Sequence, residues 1–550
     1  MRILTVGEIQ SIERSADALG HTYAAMMALA GKGVAEAIRR RLPVVGKRIL
    51  VLVGPGNNGG DGLVAARWLQ ESGAAVTAYL SRTRDQDEDA VYRDAVTSNV
   101  PIVNGPSDVN AKRLRSLLAQ TDVIVDALLG TGATPPLRGA IADILSVVHQ
   151  AVGQPSPQTL VSFRLPHPHP PRPCIVAVDG PSGLDFDTGE VDANTLRADF
   201  TVTFAAPKWG HLRFPGAARV GDLVVADIGI PDSVEIPVGP ELATPNQTGA
   251  WLPPRPMDAH KGTFGKAMIV AGSSNYTGAA ILAAIAAVRA GTGLVTLALP
   301  GTLHSAVVAA IPEATYLLLP HALGVVNEHA VPVLMEAVYG YSAMLVGPGL
   351  GHTPETRAFL TRLLGIDGPA RTAGFLRSEP TSVASTKLPP LVVDADGLNI
   401  LSEIPNWPAH LPTGTILTPH PGEMARLTGV ETSEIQDNRL DIAQEWAQRW
   451  QQVVVLKGAF TIIASPEHEP VLLPFANPGL SSAGTGDVLA GTIVALRAQG
   501  LEPFRSAVAG AYLHGLAGEI ATRRRGAAGT AASDVALALA AAWQQLTATG

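Results

Sequence analysis

The sequence predicts an α/β protein of two domains, each a parallel sheet covered by helices. Three observations carry this. Short apolar, β-branched runs recur at 49–53, 123–126, 175–178, 268–271, 344–346, 391–393 and 453–456, each followed by glycines and a helical pattern; strands buried on both faces read this way. The chain has 550 residues, more than one hydrophobic core accommodates. A turn-rich stretch from Gly229 to Pro240, followed by Pro245 and the Pro253-Pro254-Arg255-Pro256 run, separates residues 1–235 from 245–550.

Composition narrows the class. Lys and Arg number 40 against 48 Asp and Glu, a net charge of −8, which argues against a nucleic-acid-coating surface. Gly 56 and Pro 43 accompany 46% hydrophobic residues, so the excess marks tight turns between buried elements and not disorder. The longest apolar run, Ala279–Val288, ends at Arg289, far short of a membrane span. Charges at Glu8, Glu13, Arg14 and Asp17 leave no signal-peptide core. The single cysteine, Cys174, excludes an intrachain disulfide framework and fits a reducing cytoplasm.

Taken in order, the first run leads into Gly54-Pro-Gly-Asn57-Asn58-Gly59-Gly60-Asp61-Gly62 and then a helix from Leu63 to Glu71. A glycine-rich turn at a helix start offers backbone N–H groups to an anion such as a pyrophosphate. The paired Asn and the Asp separate it from a bare GxGxxG, and no GxxxxGK[ST] occurs anywhere. Two further strand ends carry an Asp: Asp126, before Gly130-Thr131-Gly132, and Asp179, before Gly180-Pro-Ser182. Each alone reads equally as a turn former; together with the glycine loop they suit cation binding or proton transfer in one crevice.

Farther on, Asn477-Pro-Gly-Leu-Ser-Ser-Ala-Gly484-Thr485-Gly486-Asp487 leads into an apolar helix. Small residues ahead of a helix make an anion hole for phosphoryl charge. Asp487 suits either a proton acceptor or a first-turn residue favoured by the helix dipole, and the Gly-Thr-Gly-Asp context favours the acceptor. Lys457, after a strand, can neutralise phosphate, and His420 sits on a rigid turn between Pro419 and Pro421. Asp394 and Asp396, at a strand end, read equally as structural or participating, and Lys261 equally as a ligand or a solvated lysine.

On GPGNNGGDG, VDALLGTG and VDGPSG, residues 1–230 resemble the YjeF N-terminal family, epimerases of hydrated NAD(P)H with a Rossmann-like fold. The resemblance implies that Asn57, Asn58, Gly59, Gly60, Asp61, Gly130, Thr131, Gly132, Ala133, Thr134, Pro135 and Pro136 hold the dinucleotide hydrate. It implies that Asn58, Asp126 and Ser182 supply oxygens to K+, and that Asp179 contacts the nicotinamide-derived ring. Asp179 is the expected acid/base, with Lys208 as a helper. One departure stands out: where the family's early helix carries Met-Glu-Asn-Ala-Gly, this chain has Met27-Ala-Leu-Ala-Gly31, a change that bears on packing, subunit pairing or activity.

On the Gly-Thr-Gly-Asp motif, His260-Lys261-Gly262, Ala271-Gly-Ser273, Tyr276-Thr-Gly-Ala279, Val346-Gly-Pro-Gly-Leu-Gly351, Asp394-Ala-Asp396, Thr418-Pro-His420-Pro-Gly-Glu423 and Lys457-Gly458, residues 250–545 resemble the ribokinase-like ADP-dependent NAD(P)H-hydrate dehydratase family. This implies that Ala279, Gly349, Gly351, His420 and Asp487 line the hydrate site. Lys457, Gly458, Ala459, Phe460, Thr461 and Gly486 would hold the nucleotide, with Mg2+ screening its phosphates. The residues themselves serve ADP and ATP alike; ADP comes from the resemblance. A ribokinase-like small-molecule kinase with a nucleotide-sensing first domain is the alternative, and it leaves GPGNNGGDG unexplained. Low-charge faces suit a homo-oligomer.

Two segments, 151–173 and 366–389, read as inserted surface loops. His167 and His169 in the first have no Cys/His partner pair and read as solvated. Val-Gly-Pro-Gly occurs at 53–56 and 346–349, which raises an internal duplication; two similar strand-to-loop turns explain it better, because the flanks diverge.

Overall fold

The structure is a computed structural model that describes residues 1–132, 134–153, 172–366 and 388–548. Most of both expected insertions, with His167 and His169, lies outside the described residues; residues 151–153 continue the helix Gly139–Gly153. The chain divides into two compact units, Met1–Val238 and Gly239–Gly550.

The first unit holds seven strands: β1 (Arg48–Val53), β2 (Ala75–Leu80), β3 (Ile102–Asn104), β4 (Val123–Ala127), β5 (Cys174–Val178), β6 (Phe200–Phe204) and β7 (Asp222–Ala226). They lie in the order β3-β2-β1-β4-β5-β6-β7, and every pair is parallel. This is a Rossmann-like doubly wound sheet, whose strand order reverses at β1 and β4 and opens a crevice at their carboxyl ends. β1, β4 and β5 are almost wholly buried, which explains their unbroken apolar sequence. Apolar layers cover both faces: Ile9, Val34 and Leu63 belong to one, Leu114, Leu145 and Val148 to the other.

The second unit is a ribokinase-like α/β sheet of ten strands. They are β8 (Glu241–Leu242), β9 (Lys266–Val270), β10 (Leu294–Pro300), β11 (Thr315–Leu319), β14 (Ala343–Val346), β15 (Leu391–Val393), β16 (Ile416–Leu417), β17 (Val453–Leu456), β18 (Ile462–Ala464) and β19 (Val471–Leu472). A separate hairpin pairs β12 (His321–Ala322) with β13 (Val325–Val326). The order is β11-β10-β9-β14-β15-β16-β17-β18-β19-β8. Pairing is parallel from β11 to β17, antiparallel at β17–β18 and β18–β19, and parallel again where β8 meets β19. The interval expected to be a linker thus begins the second unit at Gly239 and supplies its edge strand. Packed against the sheet, the helices Thr277–Arg289, Thr485–Ala498 and Pro503–Arg525 bury Ala-rich faces. Among the described residues, no helix is long and apolar enough to cross a membrane.

The two Val-Gly-Pro-Gly turns differ in backbone. Gly347 and Gly349 have φ of 133° and 60°, whereas Gly56 has φ of −99°. The shared tetrapeptide therefore makes two different turns.

Candidate functional sites

Both segments expected to face an anion lead into helices that lack side-chain caps. Gly56 opens Asn57–Glu71 and Gly484 opens Thr485–Ala498, neither with a capping side chain. By contrast Thr5, Thr22 and Thr353 cap their helices. An uncapped first turn keeps its N–H groups for a ligand.

In the first unit the helix begins at Asn57, not Leu63, so Asn57 to Asp61 form its first turn and the loop shrinks to Gly54-Pro55-Gly56. The glycines permit close packing. A Cβ at Gly54 would stand 1.7 Å from the Leu128 carbonyl oxygen, one at Gly62 2.5 Å from Ala127 Cβ, and one at Gly60 2.6 Å from Met27 Sδ. Gly54→Ala is expected to cost about 1–3 kcal/mol, read as a lower denaturant midpoint for the first unit. Arg84, after β2, braces the same turn by donating to the Gly54 (2.6 Å) and Gly56 (3.0 Å) carbonyls and pairing with Asp89. A cavity of about 490 Å³ beside it is lined by Met27, Gly56, Asn57, Gly60, Arg84 and Asp89, among others. Ala28 and Leu29, the departing positions, are exposed, whereas the retained Met27 is half-buried and leaves no room for a Cβ at Gly60.

Asp126, at the end of β4, is fully buried. It accepts from the Ser182 hydroxyl (2.6 Å) and backbone N–H (2.9 Å). Burial raises its pKa, against the pull of these bonds. Both polar atoms of the buried Asn58 carboxamide lack a hydrogen-bond partner, and a Cβ at Gly130 would lie 3.3 Å from its Cγ. A serine hydroxyl on a buried carboxylate and, near Gly130, an unpartnered amide oxygen are hard-oxygen donors, a type that fits a cation. Thr131, Gly132 and Thr134 to Pro136 follow on the connecting loop; Ala133 lies outside the described residues.

Asp179 follows β5 in the left-handed region, with φ of 63°. Its carboxylate accepts from Lys208 Nζ at 2.6 Å and from the Thr203 hydroxyl at 2.8 Å. Lys208 Nζ also donates to Thr203 Oγ1 at 2.7 Å and the Phe204 carbonyl at 3.2 Å, and the side chain is 1% exposed. Burial alone would raise the Asp179 pKa, but the ammonium and its hydrogen bond bring it below the ordinary value. Asp61 is held well above its usual range by burial and by the Asp179 and Glu13 carboxylates. Glu13 is raised chiefly by burial as well. One lysine thus serves three carboxyl groups. Sequence reasoning did not select Glu13 or Thr203, because nothing in their local sequence distinguishes them.

In the second unit, Gly349 packs beside Ala279: a Cβ there would stand 2.8 Å from Ala279 Cβ. Asp396 accepts from the Gly351 N–H at 2.9 Å and so clamps the Gly347–Gly351 turn. Ser273 is buried with no partner for its hydroxyl, and Gly351 is its neighbour.

Lys457 Nζ donates to Asp394 at 2.8 Å and lies 3.4 Å from Glu423 Oε2. Burial pulls its pKa down, yet the two carboxylates more than offset this and the value is raised. His420 caps the helix Pro421–Thr428, its Nδ1 accepting from Gly422 N–H at 3.0 Å. Burial lowers its pKa. Gly458 to Thr461 form the turn after β17, where Thr461 donates to the Gly458 carbonyl at 2.9 Å. Arg439, unselected from sequence, donates to the Leu456 and Lys457 carbonyls at 3.2 and 3.4 Å. A Cβ at Gly486 would lie 3.6 Å from Lys457 Nζ and one at Gly484 3.9 Å from Asp487 Oδ2, so lysine and aspartate border one helix start. Burial first, then repulsion from Asp394, raises the Asp487 pKa to about 7. Lys261 is exposed.

Among the described residues no three His, Cys, Asp or Glu side chains converge as a metal site. A divalent ion would ride on nucleotide phosphates with one or two carboxylates, the usual manner of Mg2+. The Asp394 and Glu423 oxygens beside Lys457 fit that chemistry.

A Rossmann-like crevice with a buried acid–lysine pair, joined in one chain to a ribokinase-like unit whose uncapped helix start carries Asp487 beside Lys457, is the architecture of a two-unit enzyme. The chain belongs to the bifunctional NAD(P)H-hydrate repair enzyme family. Residues 23–210 match the family described as YjeF-related protein N-terminus, and residues 267–540 the family described as NAD(P)H-hydrate dehydratase. Bifunctional NAD(P)H-hydrate repair enzyme Nnr of Moorella thermoacetica is 36% identical over 97% of this chain and 95% of its own; that of Escherichia coli K12 is 32% identical over 95% and 90%. An ADP/ATP-dependent NAD(P)H-hydrate dehydratase from Bacillus subtilis, co-crystallised with ATP/Mg2+, is 31% identical over 56% of this chain and 98% of its own, with a TM-score of 0.46.

Proposed function

We propose that this chain repairs hydrated NAD(P)H in two steps: the first unit interconverts the R and S hydrates, and the second dehydrates the S form with ADP, giving AMP and phosphate. The observation that carries it is the Asp487 carboxyl, raised to about 7 at an uncapped helix start beside Lys457.

In the second unit, Asp487 takes the proton of the substrate hydroxyl as its oxygen bonds the terminal phosphorus of ADP. The bridging P–O bond breaks and AMP departs. The phosphorylated oxygen then leaves carbon as phosphate, the adjacent carbon gives up a proton, and the ring regains its double bond. Lys457, Gly458 to Thr461 and Gly486 hold the nucleotide; Ala279, Gly349, Gly351 and His420 hold the hydrate. Mg2+, when bound, neutralises phosphate charge.

In the first unit, the substrate carbon bears a hydroxyl beside a ring nitrogen. Loss of that hydroxyl as water consumes one proton and leaves an iminium. Return of water to the opposite face releases one proton to Asp179. Lys208 and Asp61 are the neighbouring proton reserves. Asn57 to Asp61 and Gly130 to Pro136 hold the dinucleotide. K+, when bound by Asn58, Asp126 and Ser182, supplies positive charge beside it; the unpartnered Asn58 amide supports this reading. A cytoplasmic location and a homo-oligomeric state complete it.

The test supplies mixed hydrates with ADP, ATP or neither and follows reduced-nicotinamide absorbance. Complete recovery with nucleotide is expected. Recovery that stalls at the S fraction and then creeps at the spontaneous rate would remove the epimerase; no recovery with either nucleotide would remove the dehydratase.

A further inference from the structure

The first unit contains a fully buried histidine that the reaction just described does not use. His211 is 1% exposed and lies on the turn after Lys208. Its Nδ1 accepts the Lys208 backbone N–H at 3.1 Å. The proton therefore resides on Nε2, which donates to the Asp179 backbone carbonyl at 2.9 Å. One neutral ring thus spans the base and its counter-ion. Its orientation is enforced: Phe186 meets it edge-on, with centroids 5.2 Å apart and planes at 81°. Gly180 admits it, since a Cβ there would stand 3.3 Å from Nε2 and 2.4 Å from Phe186 Cζ.

Asp179 needs such an anchor. It holds φ of 63°, a conformation costly for a residue with a Cβ and kept only where the surroundings over-determine it. The Asp179 N–H donates to the Val202 carbonyl at 2.7 Å, and the His211 bond fixes the other side of the residue.

We propose that His211 is a positioning residue for epimerisation: its Nε2–H holds the Asp179 turn, and its Nδ1 holds the Lys208 turn in register with it. Burial keeps the ring neutral, its pKa pushed down to about 3, so both bonds persist across the working range. The inference rests on Asp179 as the epimerase base.

Two substitutions separate the bonds, because Asn reproduces the Nδ1 position and Gln the Nε2 position. The full chain is given the isolated R hydrate without nucleotide, which idles the dehydratase, and formation of S is followed by chromatography. For His211→Asn, which keeps the acceptor but frees the Asp179 turn, kcat should fall on the order of 10- to 100-fold. Its KM should stay within about twofold. His211→Gln should lose less kcat. With Lys208 slipped, Asp179 faces Asp61 and Glu13 with a weaker counter-ion, so the acid limb of kcat/KM should move to higher pH. Dehydration of the S hydrate with ADP, and the first unit's thermal transition, report folding in the same samples.

Wild-type kcat in His211→Asn would overturn the proposal. So would equal losses in both variants with the acid limb in place, the pattern of a packing defect. If His211→Asn does not fold, an unmoved acid limb in His211→Gln overturns it; if neither folds, the ring only packs and the proposal fails. A wild-type chain that leaves the R hydrate unchanged would instead remove the epimerase reading.

Discussion

Asp487→Asn is expected to abolish dehydration while making the second unit more stable. Loss of a general base typically costs about 10²- to 10⁴-fold in kcat, read in the absorbance assay on the S hydrate. The wild-type rate should rise through a pH near the raised Asp487 value of about 7, and this limb should vanish in the variant. Stability moves oppositely. A carboxyl raised by burial and by Asp394 from 3.8 to about 7 leaves stability fully present below its unfolded pKa and lost as pH rises through the folded one. Removing the ionisable group should therefore raise the second unit's melting temperature at pH 8 and leave it nearly unchanged at pH 4. Equal melting temperatures at pH 8 would show that the carboxylate is not strained.

Lys208→Met should produce the largest loss of stability. The ammonium is buried with Asp179, Thr203 and the Phe204 carbonyl as its partners. Removing one member of a buried pair costs about 3–5 kcal/mol, because the other charge is left uncompensated. Differential scanning calorimetry should show the first unit's transition moved sharply down or lost, with the second unit's in place. In the wild type Asp179 has a depressed pKa. Its contribution is present above the ordinary carboxylate range and lost as pH falls through the depressed value. Without the lysine, burial outweighs the Thr203 hydrogen bond and raises that pKa, so the variant should regain stability on acidification from pH 7 to pH 4.5. A variant that melts like the wild type would contradict the pair's structural role.

The sequence made the central strands legible because burial on both faces leaves apolar runs such as Ile49–Val53 and Val453–Leu456 no polar alternation. β2 and β6 were less visible: Thr77 interrupts the first and Thr201 and Thr203 the second, and such short runs resemble any turn-flanked apolar stretch. Glycines at helix starts were legible as candidates to face a ligand, and the helices that follow Gly56 and Gly484 have no side-chain cap. The extent of the first turn at Asn57 was not legible, since five glycines within the nine residues Gly54–Gly62 argue locally against helix. Packing on β1 and β4 overrides that. Glu13, His211, Arg84 and Arg439 act across distances only the fold closes, from Glu13 to Asp179 or from Arg439 to Lys457.

The edge strand β8 has a consequence for dissecting this chain. Glu241 and Leu242 pair in parallel with Val471 and Leu472, and Ala243 N–H donates to the Leu472 carbonyl at 2.9 Å. A fragment cut at residue 245 would expose the outer side of β19, an open template for intermolecular pairing. Expression of the second unit alone should begin no later than Gly239, and a shorter fragment that aggregates would report a missing strand, not an intrinsically unstable domain.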